Sequence, residues 1–318
     1  MKRKLKGLLI IVLLTAGLPG RQFGQTNNPL KVAILHWYAA NQVTSFGVGN
    51  APSGLVFDGA NMWVINEHDV TITKIRASDG NNLGTFPLGA ASTGSYGCFD
   101  GANIWATGGI SPGIISKVRA SDGTLLGAFP VGLEPQACAF DGISIWVANN
   151  ASNNIMKLRP SDGTVLGTFP VGAGPIGVAF DGAHIWVSNN GSNTVMKIRT
   201  ADGVILGTFA VGNGPYQLAF DGARLWVPNE RSNNVTEVQV SDGTILGTFN
   251  VGTEPVGVAF DGTAIWVSNF LSNTVTKLRI SDGTVQGTFP TGTTPYFVAF
   301  DGANIWTANS GSNTASKI

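Results

Sequence analysis

Three consecutive side chains, Glu67-His68-Asp69, form the densest group in this sequence able to transfer a proton or hold a divalent cation. An imidazole that titrates near neutral pH, set between two carboxylates, brings an acid and a base to one place. Further acids stand at Glu134, Glu230 and Glu254, with Arg231 beside Glu230, and aromatic and amide side chains at Tyr96, Tyr216, Gln217, Phe270, Tyr296 and Phe297. Together they read as a partly aromatic, mildly acidic ligand-binding face. The other histidines, His36 and His184, have no ligand-spaced partner, and no G-x-S-x-G elbow or phosphate-cradling loop occurs. Solvated loop charge accounts for Glu67-His68-Asp69 better than catalysis does, so no catalytic residue, metal or cofactor is assigned from these residues.

The elements that must position these groups follow from a period. F-D-G recurs with its Asp at 58, 100, 141, 181, 221, 261 and 301, at intervals of 42, 41, 40, 40, 40 and 40. Five residues after each Asp stands a tryptophan, from Trp63 to Trp306. A fixed period near 40 signals a repeat architecture. Within residues 175–212, four short Val, Ile, Phe and Thr-rich runs are separated by Asp-Gly and other turn residues, which predicts four strands joined by tight turns. Connections this short cannot hold crossover helices, so the strands are antiparallel. The fold class is therefore all-β, a seven-bladed β-propeller of four-stranded antiparallel blades. The last unit lacks a fourth strand, and Thr44-Ser45-Phe46-Gly47-Val48-Gly49 matches that strand elsewhere, so the N-terminal strand is expected to complete the last blade and close the ring.

The repeated residues read as structure. Each F-D-G Asp is a turn residue accepting backbone N–H groups, and each Trp packs between neighbouring sheets. Thirteen of the nineteen acids and eleven of the nineteen bases belong to this repeated frame, as paired or solvated charge. Function is sought in the departures: two extra residues within Pro87 to Tyr96, one within Thr107 to Ser116, and the off-template groups named above. All are expected on one face of the ring. Glu237 stands apart from them, replacing a third-strand lysine. Cys98 and Cys138 lie two and three residues before their Asp on innermost strands. Because side chains alternate along a strand, that offset is expected to point them to opposite sheet faces as two buried thiols.

Residues 1–25 read as a signal peptide, with Lys2, Arg3, Lys4 and Lys6 ahead of a short apolar run that is too short for a comfortable membrane span. Residues 26–42 are a lead-in and 43–318 the propeller. The expected product is an exported, periplasmic or extracellular monomer without a membrane span. Removing the leader leaves 14 bases against 19 acids, a balance that speaks against nucleic acid. Only 12% of residues are charged, and two cysteines cannot build a disulfide framework or a cysteine zinc site.

The unit P-x-G-V-A-F-D-G-x-x-I-W-V-x-N-x-x-S-N-x-V-x-K-I-R-x-S-D-G-x-x-L-G-T-F-x-V-G, nearly intact at 175–212 and 255–292, resembles the YVTN and NHL-type propeller repeats of bacteria. It is also similar to the virginiamycin B lyase family. That likeness implies a Mg2+-dependent elimination opening a cyclic antibiotic, with histidines and a glutamate on neighbouring blades; His68 is the one histidine here on the matching face. The leading expectation is a non-enzymatic module binding a protein, peptide or glycan. A metal-dependent lyase or hydrolase using Glu67, His68 and Asp69, and a purely structural envelope protein, are the alternatives.

Overall fold

The computed structural model describes residues 44–89, 94–109 and 111–318. The expected leader and lead-in, with His36, lie outside the described residues, as do residues 90–93 and 110 within the two insertions. The described chain forms seven four-stranded antiparallel sheets, numbered here as blades 1 to 7 in chain order of their F-D-G turns. In blade 4 the strands Pro175–Phe180, His184–Asn189, Thr194–Arg199 and Ile205–Ala210 run in order from the inner edge to the outer. Blade 7 is built from Pro295–Phe300, Ile305–Asn309 and Thr314–Lys317, and its outer strand is Thr44–Gly47, with Phe46 opposite Ala315. The expected fold and its closure are both present. Among the described residues no helix is long and apolar enough to cross a membrane.

Each blade is organised by its first hairpin. The glycine of every F-D-G takes φ between 91° and 101°, a region closed to residues with a Cβ except at a cost in strain. The Asp then folds back over the turn. In blade 4, Asp181 Oδ1 accepts the N–H groups of Ala183 at 2.8 Å and His184 at 2.6 Å, and Oδ2 accepts the Trp186 indole at 2.8 Å. All seven Asp–Trp bonds fall between 2.7 and 2.9 Å. Burial raises the pKa of Asp58, Asp100, Asp181, Asp261 and Asp301, but the hydrogen bonds led by the indole outweigh it, and each carboxyl sits below its ordinary 3.8.

The tryptophan so fixed becomes a platform for contacts between blades. It packs against a phenylalanine of the outer strand at 5.3 to 5.9 Å between ring centroids. In six blades a third-strand lysine lies over the indole at 4.7 to 5.6 Å. Five of these lysines are not solvated charges. Lys74, Lys117, Lys157, Lys197 and Lys317 reach carbonyls of Ala120, Pro160, Thr200, Val240 and Ala77 on the next blade, at 2.6 to 2.8 Å. Arginines two residues on pair with the Asp of the following turn at 2.8 to 3.1 Å and stay about half exposed. The joint from blade 7 to blade 1 repeats the pattern, with Lys317 on Ala77, Phe46 against Gly80, and Asn313 accepting the Ala51 N–H at 2.9 Å.

One expectation is overturned. Cys98 and Cys138 form a disulfide, with Cα atoms 5.6 Å apart. Opposite face parity is what the bridge requires, because adjacent blades pack front to back and the front of blade 2 meets the back of blade 3. Elsewhere the same two positions hold Ala179 near Leu218, Ala219 near Val258 and Ala259 near Val298, each pair in one inter-blade cluster. The bond closes a loop of 40 residues, which in the chain-entropy picture stabilises by about 4 kcal/mol.

Two outcomes follow for stability. Because the five Asp carboxyls titrate lower in the fold than in the unfolded chain, their contribution is complete above pH 3.8 and is lost as pH falls through and below it. Urea midpoints should be level from pH 7 to about 5 and drop below about 4; a midpoint that rises on acidification contradicts the lock. Reduction of Cys98–Cys138 should lower the melting temperature by roughly 5–10 °C. The Cys98→Ala/Cys138→Val variant, carrying the packing pair of the other interfaces, should melt at the reduced value and ignore reductant.

Candidate functional site

Antiparallel connection puts the second-to-third-strand loops and the links into each innermost strand on one face of the ring, here called the upper face. These loops are tied from blade to blade. Ser192 Oγ accepts the Ala173 N–H at 2.7 Å, and Asn193, in the left-handed region at φ 56°, accepts the Gly214 N–H of the next blade at 2.9 Å. In blade 1 Asp69 stands where other blades have this serine. It accepts the Asn50 N–H and side-chain amide, both at 2.7 Å, and those bonds hold its carboxyl below the ordinary range. His68 is exposed at the loop tip, and Glu67 is half-buried with its carboxyl pushed up by burial. The tripeptide is thus divided among three tasks. Among the described residues no three His, Cys, Asp or Glu side chains gather as a cation site. With Asp69 engaged by Asn50, the residues present do not fit the Mg2+ that the lyase resemblance implies.

The aromatic residues fill the inner edge of the ring. Tyr96, Tyr216 and Phe297 are buried, joining Ile176 and Val256 in the main core cluster, so the expected open aromatic rim is largely a closed floor. They take positions four or five residues before the F-D-G Asp, where blade 4 has Ile176 and Gly177. The Tyr216 and Tyr296 hydroxyls are 2.5 Å apart. Tyr96 lies edge-on to Phe297 at 4.5 Å, and Phe270 stands edge-on to Tyr296 at 5.5 Å. Serines of the preceding blades pin the tyrosine backbones, Ser188 to the Tyr216 carbonyl and Ser268 to that of Tyr296. Burial raises all three phenol pKa values, those of Tyr96 and Tyr216 well above 10.0. Glu67 and Glu230 add to the shift on Tyr296, so carboxylates of blades 1 and 5 both act on one hydroxyl.

The remaining predicted residues have separate placements. Glu134 and Glu254 sit at φ 50° and 52°, where blades 4 and 5 use Gly174 and Gly214. Gln217 spends its Oε1 on the Val258 N–H at 3.0 Å. Arg231 donates to Asn190 Oδ1 at 2.8 Å, and Asn190 Nδ2 lies 3.5 Å from Glu230 Oε2. Asn190 escaped the sequence reading, although the signal was present. Glu67, Asn150, Asn190, Glu230 and Phe270 all stand four residues after their blade's Trp, one register position on one face.

Glu237, which replaces a third-strand lysine, lies inside blade 5, bound to Arg224 at 2.5 Å, and Arg224 also donates to the Ile280 carbonyl of blade 6. Arg224 thereby performs the inter-blade task of the lysine that Glu237 displaced. On the lower face, a concavity of about 680 Å3 between blades 1 and 2 is lined by Asn61, Asn103, Lys74 and Arg119. Its polar walls belong to the repeated frame: the amides are bound to Asp58 and Asp100, Lys74 to Ala120, and Arg119 to Asp122.

No family model matches this chain, and no curated protein matches it in sequence. Among solved structures it is similar to a chain of hydrazine synthase from Kuenenia stuttgartiensis, at 18% identity with a TM-score of 0.74, over 84% of this chain and 95% of that one. At that identity the likeness establishes the propeller fold and carries no activity with it.

Arg224→Ala should destabilise the protein by about 3–5 kcal/mol in chemical unfolding, because it strands a buried Glu237 carboxylate. Arg224→Ala/Glu237→Lys should recover most of that loss by restoring the lysine bridge of the other blades. Equal stability of the single and double variants contradicts the exchange.

Proposed function

We propose that this protein is an exported, non-enzymatic binding module that engages a positively charged protein or peptide segment on its upper face. One observation carries the reading. Of nineteen acids, the seven F-D-G Asp, the six of the second turns, Asp69 and Glu237 have hydrogen-bond or ion-pair partners within the fold, which leaves Glu67, Glu134 and Glu254, together with Glu230, whose one partner is the Asn190 amide at 3.5 Å. All four stand on the same face. A one-sign cluster on a rigid scaffold attracts a partner of the other sign. The other bases of the described frame are bound to carbonyls, Asp or Glu237, so among the described lysines and arginines only Arg231, which donates to the neutral Asn190 amide, stands with the four carboxylates, and the face keeps a negative excess.

Export is supported by the basic end and apolar run at residues 1–20 and by the Cys98–Cys138 bridge, a bond that persists in oxidising compartments. The likeness of the repeat to YVTN and NHL-type propellers agrees with a binding role. The lyase alternative is not carried further, since Glu67, His68 and Asp69 do not converge as ligands.

Panning the immobilised full chain against a random peptide library is expected to enrich Lys- and Arg-rich sequences. Their capture should fall at least tenfold when Glu67, Glu134, Glu230 and Glu254 are changed together to Gln, and be unaffected by Asp162→Asn on the lower face. Enrichment of acidic or glycan-bearing ligands instead, or of nothing above bare support, overturns the reading.

A further inference from the structure

On the flank of the ring, between blades 5 and 6, lies a groove of about 360 Å3 whose polar wall is mostly hydroxyl: Ser272, Thr274 and Thr276 lead into and along the third strand of blade 6, and Thr288 stands on its outer strand. Asn250, the last residue of the outer strand of blade 5, adds a carboxamide. Val251 and Val285, the latter 48% exposed, give the groove an apolar side. Among the described residues no lysine, arginine, histidine or carboxylate lines it. The fold fixes these hydroxyl oxygens but leaves their protons free. Ser272 Oγ accepts the Thr253 N–H at 2.8 Å, and the Asn269 side-chain amide donates to Thr274 Oγ1 at 3.1 Å and to Thr276 Oγ1 at 2.9 Å. None of the three O–H groups donates to an acceptor among the described residues, and the side chains of Thr288 and Asn250 make no hydrogen bond there. In blade 1 the matching pair, Thr73 and Thr85, bond each other at 3.0 Å; in blade 6 Thr276 and Thr288 are again register partners, but no hydrogen bond joins their hydroxyls. Blades 3 and 4 fill the place of Thr276 with Met156 and Met196. Four other outer strands end in proline and that of blade 4 in Ala210, so threonine and asparagine occur together at these two places only at this joint.

We propose that this groove binds a neutral saccharide through one of its sugar rings. A sugar ring alternates hydroxyls, each able to donate and accept, with C–H groups. The groove answers both, with positioned O–H donors and a carboxamide beside valine side chains and threonine methyls. A charged ligand would be desolvated against a wall without a counter-charge. A purely apolar one would cover the free O–H groups without bonding them. The volume stands at the lower end of the ~300–1,000 Å3 typical of small-ligand sites, which suits one ring rather than several. Oxygens already held by amide donors need little further ordering when the ligand arrives. The site is separate from the acids of the upper face, and neither reading rests on the other. The ring belongs either to a free sugar or to one residue of a longer glycan, and these sources can be told apart.

The test is an NMR titration of the full chain with the methyl glycosides of glucose, galactose, mannose and N-acetylglucosamine. Saturable millimolar binding of at least one is expected, with shifts centred on the backbone amides of Thr274, Thr276 and Thr288. Thr288→Val and Asn250→Ala, both at exposed positions, should each weaken that binding about fivefold through the loss of one hydrogen bond. Thr276→Met gives blade 6 the Thr-x-Met sequence that blade 4 carries at Thr194 and Met196; it should fill the groove and abolish binding with the melting temperature kept. A disaccharide of the bound sugar that binds more tightly than its methyl glycoside identifies a glycan residue as the ligand, and equal affinity identifies the free sugar. Either supports the site. No saturable binding of any of the four, binding that survives Thr276→Met, or shifts confined to other blades overturns it. Should Thr276→Met fail to fold, the two exposed variants decide alone, and full affinity in both overturns the site.

Discussion

Seven half-buried carboxylates hold this structure together. Each F-D-G Asp closes its own hairpin through two backbone N–H groups and then fixes the indole five residues on. That single bond decides where the largest side chain of the blade stands. The indole in turn sets the outer-strand phenylalanine and the third-strand lysine, and the lysine carries the order of one blade into the next through a backbone carbonyl. Local turn chemistry is thus converted, in three steps, into the spacing of the ring.

Departures from the repeat are of two kinds, and the structure separates them by whether the frame is mended. Arg224 supplies the contact that Glu237 removes, Asp69 caps the loop that serine caps elsewhere, and the cystine stands in for an alanine and an aliphatic residue. These substitutions preserve the lattice by other chemistry. Glu67, Glu134 and Glu254 mend nothing. Among the described residues their carboxylates bond no other part of the frame, which sets them apart from variants of the scaffold.

Fold and closure were legible because their determinants are local: F-D-G, the Trp five residues on, and a fourth-strand motif displaced to Thr44–Gly47 can each be read within a short window. The cysteine pairing was misread because strand parity was judged within one sheet, whereas the contact is between the front of one sheet and the back of the next. The aromatic face was half legible. Its residues were found by their departure from the repeat, but whether an inner-strand tyrosine points into solvent or across the axis depends on six other blades. Glu67 and Glu230, far apart in sequence, share a register position relative to Trp63 and Trp226, and aligning the units on tryptophan assigns them to the same face. Glu237 could not be placed without seeing Arg224 opposite it.

The strand Thr44–Gly47 also imposes an order in time. It is made before any blade, yet its hydrogen-bond partner Thr314–Lys317 is made after all the others, and the Ala51 N–H meets Asn313 across 262 residues of sequence. During synthesis the first strand must therefore wait, unpaired, while six complete sheets assemble behind it. Blades that need only their own residues can form as they emerge, whereas closing the circle is a single late event of very high contact order. A strand of only four residues, one of them glycine, suits that wait, because so short an edge offers little for a neighbouring chain to capture before its own partner arrives.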